Sequence, residues 1–504
     1  MNDTENDHPK FERKKKLLVF VVTYFAESTL EDVLDRIPRS IFDEYACEVL
    51  VIDDASKDRS VEIGHAYQTK HPDFRLKVLH NEFNQGYGGN QKLGYTYAIR
   101  NGFDIVALLH GDAQYAPEEL PRLCQPVKDG AADAVFGSRM MVRGRALEGG
   151  MPLYKFVGNR VLTIAQNALL GSSLSEFHSG YRVYDVKALS TLPFHLNSND
   201  FHFDTEVIIQ LINAKAIILE LPIPTYYGNE ISRVNGMKYA KNVMLATLQN
   251  VAHRADILYQ RRFDVDRSNA HYDLKLGYAS SHTFAIESIP SGSKVADIGG
   301  GQALLAAQLA EKGCHVRVVD QFPVESTNPN IESSVVDLED SRLRIDTTDR
   351  DHILLLDIIE HLGDPEGFLE RLRSGFGHEP KRLVLSTPNI AFIVQRLQLL
   401  AGQFNYGKAG ILDITHKRLF TIRGIRRMLQ DNGYRDIQIR GVPAPFPKVL
   451  GNGPLGKLAV STNLLLIRIS MSLFSYQIFL TANSTPDVDF VLRSTEISCS
   501  PPVA

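Results

Sequence analysis

The sequence predicts two α/β domains in tandem, each built around a largely parallel sheet. The chain has 504 residues, more than one hydrophobic core usually holds, because single domains rarely exceed ~250–300 residues. Short β-branched runs alternate with helical segments along both halves, and strands alternating with helices form parallel sheets. Two separate nucleotide-binding patterns, VIDDASKD at 51–58 and VADIGGG at 295–301, follow such runs.

The overall composition is that of a globular protein. Hydrophobic residues make up 44% of the chain and charged residues 23%, and both fractions are ordinary for that class. The formal net charge of −4 gives no electrostatic reason to expect nucleic acid as a partner. The cysteines are too scattered for a metal site, and we interpret them as reduced structural thiols: Cys47, Cys124, Cys314 and Cys499.

The N-terminal residues 1–16 are polar and lack the apolar stretch of a signal peptide. We expect a disordered tail, solvated rather than bound to an anionic surface. No run approaches the ~20 apolar residues of a membrane helix. The sequence therefore predicts a cytoplasmic protein, with peripheral contact at the inner face of the cell membrane as the alternative.

The first domain is predicted to cover residues 17–262. Its strand-like runs each end in polar residues: LLVFVVTYF, CEVLVIDDA, LKVLHNE and IVALLHGDA. A long helical pattern covers about 237–260. Residues 261–273 lose this periodicity and gain charge, so we place a linker at 263–274.

The second domain is predicted to cover residues 275–485. It repeats the alternation of strands and helices, with these strand-like runs: KVADIGG, HVRVVD, SSVVDLE, HILLLDI and RLVLSTP. Residues 486–504 are expected to form a loosely packed tail.

Acidic residues end two strands of the first domain. Asp53 and Asp54 follow an apolar run directly, where carboxylates can accept hydrogen bonds from a ribose or a base. The alternative is that they cap the next helix, for which Ser56 is another candidate cap. Asp112 ends another strand, where a carboxylate could hold a divalent cation that bridges a diphosphate.

The segment NQGYGGNQKLG at 84–94 lies between these acids. Glycines allow a backbone to approach phosphates closely, and a lysine adds a point charge. We therefore predict phosphate contacts here, although the spacing is not that of a P-loop; the residues concerned are Gly86, Gly88, Gly89 and Lys92.

Residues 17–262 resemble the family 2 glycosyltransferases of the GT-A fold, in particular the branch with the polyprenyl-phosphate sugar synthases. The matching segments are VVTYFAESTL, VIDDASKDRS, NQGYGGNQKLGYTYA, HGDAQYAPEEL, GSR and EFHSGYRVY. The resemblance implies an inverting transferase whose nucleotide-sugar donor contacts Tyr24, Glu27, Asp53 and Asp54. It also implies Mg²⁺ or Mn²⁺ at an Asp-x-Asp motif, which here reads His110 and Asp112, with Gln114 nearby. A neutral imidazole can replace the first carboxylate as a ligand.

The acceptor decides which further residues the first reaction needs. A lipid phosphate is already ionised, and arginines would clamp it: Arg139, Arg160 and Arg182. A hydroxyl needs a base, and Asp204 and Glu206 offer one. The alternatives are a surface ion pair for Arg139, and a helix N-cap and first-turn acid for Asp204 and Glu206.

The glycine-rich turn of the second domain lies between two acids. Asp297 precedes it and Asp320 ends the next strand, about 20 residues later, a spacing typical of a ribose-binding acid. A dinucleotide fold would want a third glycine at position 304, which is Leu304. This argues against a single oxidoreductase.

Residues 275–485 resemble class I S-adenosylmethionine-dependent methyltransferases with a Rossmann-like fold. The matching segments are LLLDIIEHLGDP, VVDLED, LVLSTPNI and LDITHKRLFTIRGIRRMLQDNGY. The resemblance implies S-adenosylmethionine at these residues: Asp297, Gly299, Gly301, Asp320, Asp337 and Asp357. His361 and His416 could act as general bases or contact the substrate, since imidazole titrates near neutrality; packing is the alternative.

The two motif sets predict a bifunctional transferase of cell-envelope glycan or glycolipid synthesis. It would transfer a sugar to a glycan or polyprenyl-phosphate acceptor, and a methyl group to a small molecule or glycan. The alternative is that only one domain is catalytic and the other is a binding module. Basic residues near the 237–260 helix could face anionic lipid, unless that helix only covers the sheet: Lys238, Lys241, Arg254, Arg261 and Arg262.

Overall fold

The computed structural model describes residues 13–226, 235–265, 274–340, 342, 345, 347–376 and 380–486. The chain divides into two compact units. The first comprises Met1–Val251 with Gln260–Ser268, and the second comprises Ala252–Tyr259 with Asn269–Ala504.

The first unit contains seven strands and ten α-helices among its described residues. The strands are β1 (Lys16–Thr23), β2 (Ala46–Asp53), β3 (Leu76–His80), β4 (Ile105–His110), β5 (Ala134–Ser138), β6 (Arg182–Asp185) and β7 (Ile218–Pro222). The helices are α1 (Leu30–Asp35), α2 (Ser40–Glu44), α3 (Ser60–Lys70), α4 (Tyr87–Arg100), α5 (Leu120–Lys128), α6 (Arg145–Glu148), α7 (Leu153–Leu170), α8 (Val186–Ser190), α9 (Phe203–Asn213) and α10 (Gly236–Arg254).

The first sheet has the strand order β3-β2-β1-β4-β6-β5-β7. Its strands run parallel except β6, which is antiparallel to β4 and β5. Thr23 pairs with Asp53, and Val22 pairs with His110. The carboxyl ends of three adjacent strands therefore meet at one edge, which is where ligands bind in sheets of this kind.

Both faces of the first sheet are buried. Along β1, Leu17, Val19 and Val21 pack into one hydrophobic cluster. Leu18, Phe20 and Val22 pack into the other. This explains why the strand is a continuous apolar run rather than an alternating one, since helices cover both faces of a parallel sheet.

The second unit contains seven further strands and eight further helices in the part of the chain that is described. The strands are β8 (Lys294–Ile298), β9 (His315–Asp320), β10 (Ile331–Val335), β11 (His352–Leu356), β12 (Arg382–Pro388), β13 (Tyr434–Val442) and β14 (Gln477–Ser484). The helices are α11 (Ser281–Ser288), α12 (Leu304–Glu311), α13 (Pro365–Ser374), α14 (Ile393–Leu400), α15 (Ile422–Asp431), α16 (Pro447–Leu450), α17 (Pro454–Ile469) and α18 (Met471–Phe474).

The second sheet has the strand order β10-β9-β8-β11-β12-β14-β13. Only β14 runs against its neighbours, β12 and β13. Hydrophobic clusters again cover both faces. Two tandem α/β units, each with a seven-stranded mixed sheet, confirm the predicted fold class.

Five strands were not anticipated from the sequence. β5, β6 and β7 complete the first sheet, and β13 and β14 complete the second. β6 has only four residues, and β7 has no fully buried residue. The apolar signal of β6 and β7 is therefore too short or too weak to distinguish these two strands from loops.

The predicted linker 263–274 begins inside the first unit. Phe263 and Val265 are buried in the cluster on one face of the first sheet. The charged residues around them made this segment resemble a solvent-exposed linker in the sequence. One of those residues, Arg262, forms an ion pair with Glu206 in the structure. Residues 266–273 of the predicted linker lie outside the described residues.

Two predictions concern the chain as a whole. None of the helices within the described ranges is long and apolar enough to cross a membrane. Cys47, Cys124 and Cys314 are buried free thiols. Cys499, the tail residues 1–12 and residues 487–504 lie outside the described residues.

Candidate active sites

Asp53 ends β2, and its carboxylate organises the loop that follows. It accepts hydrogen bonds from Oγ (2.6 Å) and backbone N (2.9 Å) of Ser56, and from Nδ1 of His80 (2.9 Å). Helix α3 begins only at Ser60, without a side-chain cap, so neither aspartate caps it. Asp53 lies buried at the carboxyl edge of the sheet, with the nucleoside contact still a prediction.

Asp54 ties the glycine segment 84–94 to the end of β2. One carboxylate oxygen accepts from Nδ2 of Asn81 (2.9 Å) and backbone N of Gln85 (2.7 Å). The other accepts from backbone N of Gly86 (3.0 Å). The amide directly before α4 is therefore already bonded to a carboxylate of the protein.

The glycines of this segment have a packing role that the sequence did not reveal. A Cβ on Gly86 would lie 2.5 Å from the carbonyl oxygen of Asn199, and one on Gly88 would lie 2.5 Å from that of Ser198. A Cβ on Gly89 would lie 2.9 Å from Gln85 Cβ. Helix α4 thus packs against the loop before α9, which fills the space we expected phosphates to approach.

Lys92 also faces this loop. Its Nζ donates to the carbonyl of Asn197 and to Oδ1 of Asn199, the latter at 2.7 Å. Burial lowers the pKa of Lys92. The ammonium predicted to contact phosphate is therefore engaged with the protein.

Tyr24 and Glu27 follow β1 at the same edge. The carboxylate of Glu27 accepts from backbone N of Arg59 (3.0 Å), and backbone N of Glu27 donates to Asp58 (3.1 Å). The rings of Tyr24 and Phe25 meet edge-on at 4.6 Å, and both are exposed. An exposed aromatic pair beside the strand ends is suited to a base or sugar face.

His110 ends β4 in a fixed orientation. Its Nε2 lies 3.1 Å from the hydroxyl of Tyr87, and that hydroxyl donates to Asp204 at 2.9 Å. Since the tyrosine proton is used by Asp204, Nε2 of His110 must carry the hydrogen, and Nδ1 keeps its lone pair. Burial lowers the pKa of His110, so the imidazole is neutral and suited to a metal.

Asp112 is exposed two residues later. Its carboxylate accepts from backbone N of Gln114 (3.1 Å), in a turn where Ala113 has a left-handed φ of 59°. An exposed carboxylate and a neutral imidazole nitrogen fit a divalent cation. Asp112 and His110 would hold it, and Gln114 lies in the same turn.

Asp204 is buried at the other end of this network. Its carboxylate also accepts from Nε2 of Gln91 (3.1 Å) and lies 3.9 Å from Nε of Arg182. The residue that caps α9 is His202, which makes no side-chain cap bond, so Asp204 is not the N-cap. Tyr87 and Gln91 are the residues that our sequence analysis missed, although both stand in a segment it quoted.

Arg182 is almost completely buried. It donates to the carbonyls of Ser179 (3.0 Å) and Phe177 (2.9 Å). Burial opposes its charge, but Asp204 together with the neighbouring tyrosines Tyr184, Tyr87 and Tyr95 raises the pKa of Arg182. Its Nη1 has no hydrogen-bond partner among the described residues, which leaves one donor for a ligand.

Arg139 forms a buried ion pair rather than the surface pair considered from the sequence. Its guanidinium lies 2.5 Å from Glu176 and also donates to the carbonyl of His178 (2.9 Å). Although burial alone would raise it, the pKa of Glu176 is lowered by Arg139. Arg160 is half-buried, and its guanidinium lies 3.4 Å from the carbonyl of Met140. Of the three arginines, Arg139 is therefore held by an ion pair, whereas Arg160 and Arg182 donate to backbone carbonyls.

Glu206 is committed to the protein. It accepts from backbone N of Ser198 (2.6 Å) and pairs with Arg262. Burial raises the pKa of Glu206 despite the opposing effect of Arg262. Arg262, one of the residues expected to face lipid, is therefore directed to α9. Lys238 pairs with Asp200 at 2.9 Å.

In the second unit, four acids follow four adjacent parallel strands. They end or follow β10, β9, β8 and β11, in that spatial order: Asp337, Asp320, Asp297 and Asp357. The sequence predicted that each acid ends or follows a strand. The strand order of the sheet places all four at the same edge. Gly299 and Gly301 have positive φ of 76° and 51° in the turn after β8.

Asp297 and Asp320 face the same turn. Asp320 accepts from backbone N of Gly301 (3.0 Å) and of Phe322 (3.1 Å). Burial, followed by the charge of Asp320, raises the pKa of Asp297 to about 7. In the part of the chain that is described, Oδ2 of Asp297 has no hydrogen-bond partner. A buried, unpartnered carboxyl fits the positive amino-acid part of S-adenosylmethionine.

Gly299 is required for protein packing. A Cβ there would lie 2.2 Å from two side-chain carbons of Ile358. Substitution at Gly299 would therefore disturb the β11 edge before it reached any cofactor. Asp320 is the cleaner position for testing cofactor binding.

Asp337 and Asp357 differ in exposure. Asp337 is exposed and accepts from backbone N of Glu339 (3.0 Å). Asp357 has a left-handed φ of 53°. Its carboxylate accepts from Ser386 Oγ (2.6 Å) and Gln477 Nε2 (2.9 Å), so it joins β11 to β12 and β14.

His361 and His416 lie together at this edge, beside Glu360. The two imidazole centroids are 4.8 Å apart. Burial lowers the pKa of His416. Burial, reinforced by Asp357, raises the pKa of Glu360 well above its usual range. Glu360 precedes a residue that we had singled out, but a lone glutamate in IIEHL gives no sequence signal of burial.

Comparison with known proteins agrees with the division into two units. Residues 18–192 match the family model "Glycosyl transferase family 2", and residues 270–439 match the model "Methyltransferase domain". The undecaprenyl-phosphate mannosyltransferase of Micrococcus luteus is 26% identical over 249 residues, which is 49% of this chain and 98% of that protein. The polyprenol monophosphomannose synthase of Mycolicibacterium smegmatis is 27% identical over 44% of this chain and 82% of that protein.

A solved structure aligns with about half of the chain. It is glucosyl-3-phosphoglycerate synthase from Mycobacterium tuberculosis in complex with Mn²⁺, uridine diphosphate and glucosyl-3-phosphoglycerate. The alignment has 18% identity and a TM-score of 0.35, and it covers 47% of this chain and 80% of that one.

The chain therefore joins two transferase domains. The N-terminal domain is a family 2 glycosyltransferase with a GT-A-like fold, related to the polyprenyl-phosphate sugar transferases. The C-terminal domain is a methyltransferase domain.

Proposed function

We propose that the protein is a bifunctional transferase. Its N-terminal domain moves a sugar from a nucleotide-sugar to a polyprenyl-phosphate acceptor, and its C-terminal domain moves a methyl group from S-adenosylmethionine to a glycan or small molecule. The observation that carries the proposal is that both units gather their motif acids at the carboxyl edges of their sheets. A role in cell-envelope glycan or glycolipid synthesis follows from the lipid acceptor.

Sugar transfer needs an acceptor oxygen that attacks the anomeric carbon while the bond to the diphosphate breaks. The nucleoside diphosphate leaves with the electron pair, and a single displacement inverts the anomeric centre. A divalent cation, when bound, would stabilise the charge on this leaving group. His110 and Asp112 would hold the cation, and Tyr87 keeps Nδ1 of His110 available for it.

A phosphate acceptor suits the charges of this site better than a hydroxyl does. A phosphate oxygen is ionised and needs no base, and Nη1 of Arg182 is a buried donor near the Tyr87–Asp204 network. Asp204, the base that a hydroxyl acceptor would require, accepts from Tyr87 and Gln91. Asp204 is therefore buried and already hydrogen-bonded within the protein.

An exposed apolar surface on α7 and α10 supports a lipid-linked acceptor. On α7, Leu153, Val157, Val161 and Ile164 are exposed at helical spacing. On α10, the same spacing exposes these residues: Met237, Lys241, Leu245 and Leu248. Neither helix contains an acidic residue. Apolar stripes with only positive charges are typical of helices that lie in an anionic membrane surface.

The segment before α7 has the same character. Residues 139–170 contain five arginines and lysines and one acid, Glu148. Met141 and Leu147 are exposed within it. The exposed surface therefore continues from Met141 to the end of α7, which would bring a lipid-borne phosphate towards the arginines.

Methyl transfer needs an acceptor atom that attacks the methyl carbon of the sulfonium. The carbon–sulfur bond breaks, S-adenosylhomocysteine leaves, and the acceptor proton passes to a base. Asp320 and Asp297 would hold the ribose and amino-acid parts of the cofactor. His361 is the candidate base in the absence of a bound metal, since its imidazole lies at the same edge.

A radiochemical assay with the purified full-length protein tests the proposal. Sugar nucleotides with uridine and guanosine bases are offered with polyprenyl phosphate in vesicles, with and without Mn²⁺. We expect metal-dependent transfer of one sugar to the lipid, and a separate transfer of label from S-adenosyl-[methyl-³H]methionine to a glycan fraction. Sugar transfer to a water-soluble glycan at an equal rate would contradict the lipid acceptor.

The alternative is that one domain only binds its ligand. The His110 substitution in the metal motif favours a binding role without catalysis for the first domain. Free nucleotide released only in the presence of metal would exclude a purely docking role for the first domain.

A further inference from the structure

Three side chains of the second unit converge at the carboxyl end of β11. We propose that Glu360, His361 and His416 form a binding site for one transition-metal dication, best suited to Zn²⁺. One potential ligand atom from each residue lies within 4.8 Å of the others. This site is separate from His110 and Asp112, which belong to the first unit.

The hydrogen bonds of the two histidines prepare them as ligands. Nδ1 of His361 lies 3.3 Å from the carbonyl of Thr415, and Nδ1 of His416 lies 3.0 Å from that of Ile411. A carbonyl can only accept, so each Nδ1 carries the proton and each Nε2 keeps a lone pair. Histidines that bind metals usually donate their other ring N–H to a carbonyl or carboxylate in this way.

The burial and hydrogen bonding of Glu360 also support a cation at this site. Glu360 is 1% exposed. One of its oxygens accepts from Oγ1 of Thr387 (3.0 Å), but Oε1 has no hydrogen-bond partner within the described ranges. A buried polar atom without a partner is costly to the fold. A cation between Oε1 and the two imidazoles would remove that cost.

The backbone fixes the two segments against each other. Lys417 N and Arg418 N both donate to the carbonyl of Glu360, at 2.8 Å and 3.0 Å. His416 N donates to the carbonyl of Asp413 at 3.0 Å. The loop that carries His416 is therefore attached to Glu360, the residue directly before His361. Only side-chain rotations are then needed to adjust the site.

The adjustment is small. Nitrogen and oxygen ligands lie ~2.0–2.2 Å from Zn²⁺, so ligand atoms around one tetrahedral ion lie roughly 3.4 Å apart. The present atoms, which lie within 4.8 Å of one another, would approach one another by up to about 1.4 Å. Two imidazoles with one carboxylate are typical of Zn²⁺ and related transition metals, whereas Mg²⁺ and Ca²⁺ prefer oxygen ligands only.

Metal binding alone tests this proposal, without any methyl acceptor or cofactor. The full-length protein is used with Asp112→Ala, which removes one of the two candidate metal ligands of the first unit, and is titrated with ZnCl₂ by calorimetry. We expect one equivalent of Zn²⁺ to bind. In this background, His416→Ala and Glu360→Gln should each weaken binding by at least about tenfold, as expected when a ligand is lost.

The matched control is His315→Ala, which removes an exposed histidine on β9 and should leave the affinity unchanged. Binding of Co²⁺ gives a second readout, because its visible absorption reports nitrogen ligands. Each variant is first compared with its parent by thermal unfolding, and His361→Ala replaces any variant that fails to fold. Absence of Zn²⁺ binding in the Asp112→Ala protein, or equal affinity in the folded His416→Ala protein, would overturn the proposal.

Discussion

Burial places the ionisation of Asp297 in the physiological pH range. Its carboxyl is buried beside Asp320, and its pKa is raised to about 7, whereas an aspartate in an unfolded chain has a pKa of about 3.9. The folded state therefore keeps a proton that the unfolded state has lost. In consequence, the contribution of Asp297 to the stability of the ligand-free protein falls as the pH rises from about 4 to about 7.

A positively charged cofactor should reverse this preference. S-adenosylmethionine carries a sulfonium and an ammonium, so it should bind the ionised form of Asp297. With a pKa of about 7, we expect its Kd to be about tenfold higher at pH 6 than at pH 8. Calorimetry at both pH values measures this. Asp297→Asn should remove the pH dependence, and a flat profile in the unaltered protein would contradict the assignment.

Gly180 holds the position of His110. A Cβ on Gly180 would lie 2.6 Å from Nε2 and Cε1 of the imidazole and 3.1 Å from the hydroxyl of Tyr87. The substitution of the first acid of the metal motif by histidine is thus accommodated by a glycine 70 positions away in sequence, on the short turn before β6.

Gly180→Ala should therefore displace the imidazole and reduce metal-dependent sugar transfer by at least about tenfold, since small misplacements at a reacting site cost that much or more. S-adenosylmethionine binding should stay unchanged. Gly158→Ala is the matched control, because a Cβ there meets nothing within 4 Å. Unaltered sugar transfer in Gly180→Ala would show that His110 has no role at the metal.

At the scale of single elements, α7 shows how the surface of a domain can carry function. A helix that only covers a sheet buries its apolar face, but α7 exposes an apolar stripe along Leu153, Val157, Val161 and Ile164. The residues that it buries are mostly polar: Asn159, Thr163, Gln166 and Leu170. Exposed apolar stripes of this length indicate an interaction surface. The sequence pointed to α10 through its basic residues and did not identify α7, because the apolar spacing of a helix does not reveal which of its faces is uncovered.

The double variant Val161→Asp with Ile164→Asp should abolish sedimentation of the protein with phosphatidylglycerol vesicles at low salt. Both side chains are exposed, so the midpoint of thermal unfolding should change little. The matched control is Leu400→Asp, which alters an exposed apolar residue of α14 in the second unit. Equal sedimentation of the double variant and the unaltered protein would contradict membrane contact through α7.

For the whole molecule, two compact units predict two separable activities. Asp112 is the exposed carboxylate of the first unit, and Asp320 bonds the glycine turn of the second. Asp112→Ala should abolish sugar transfer and leave S-adenosylmethionine affinity unchanged. Asp320→Ala should weaken S-adenosylmethionine binding by on the order of 1–3 kcal/mol and leave sugar transfer unchanged.

Both activities are measured on the same preparations, with thermal unfolding as the check of folding. Loss of both activities in either folded variant would show that the two sites are coupled. It would also contradict independent catalysis by the two domains.

The fold class and the strand ends that carry the acids could be predicted from the amino-acid sequence. Asp53, Asp112, Asp297 and Asp320 could be located because continuous apolar strands, buried on both faces, give a strong local signal that ends where the polar residues begin. The strands β6 and β7 gave no such signal, since one is short and the other half-exposed.

The partners of the other side chains could be read only from the three-dimensional structure. The sequence treated Lys92 and Gly86 as phosphate contacts, but the loop before α9 occupies both. It gave no reason to choose Tyr87 or Glu360, whose partners lie 23 or more positions away: His110, Asp204 and Arg418. Hydrogen bonds and burial of this kind depend on non-local neighbours, which strand periodicity does not encode.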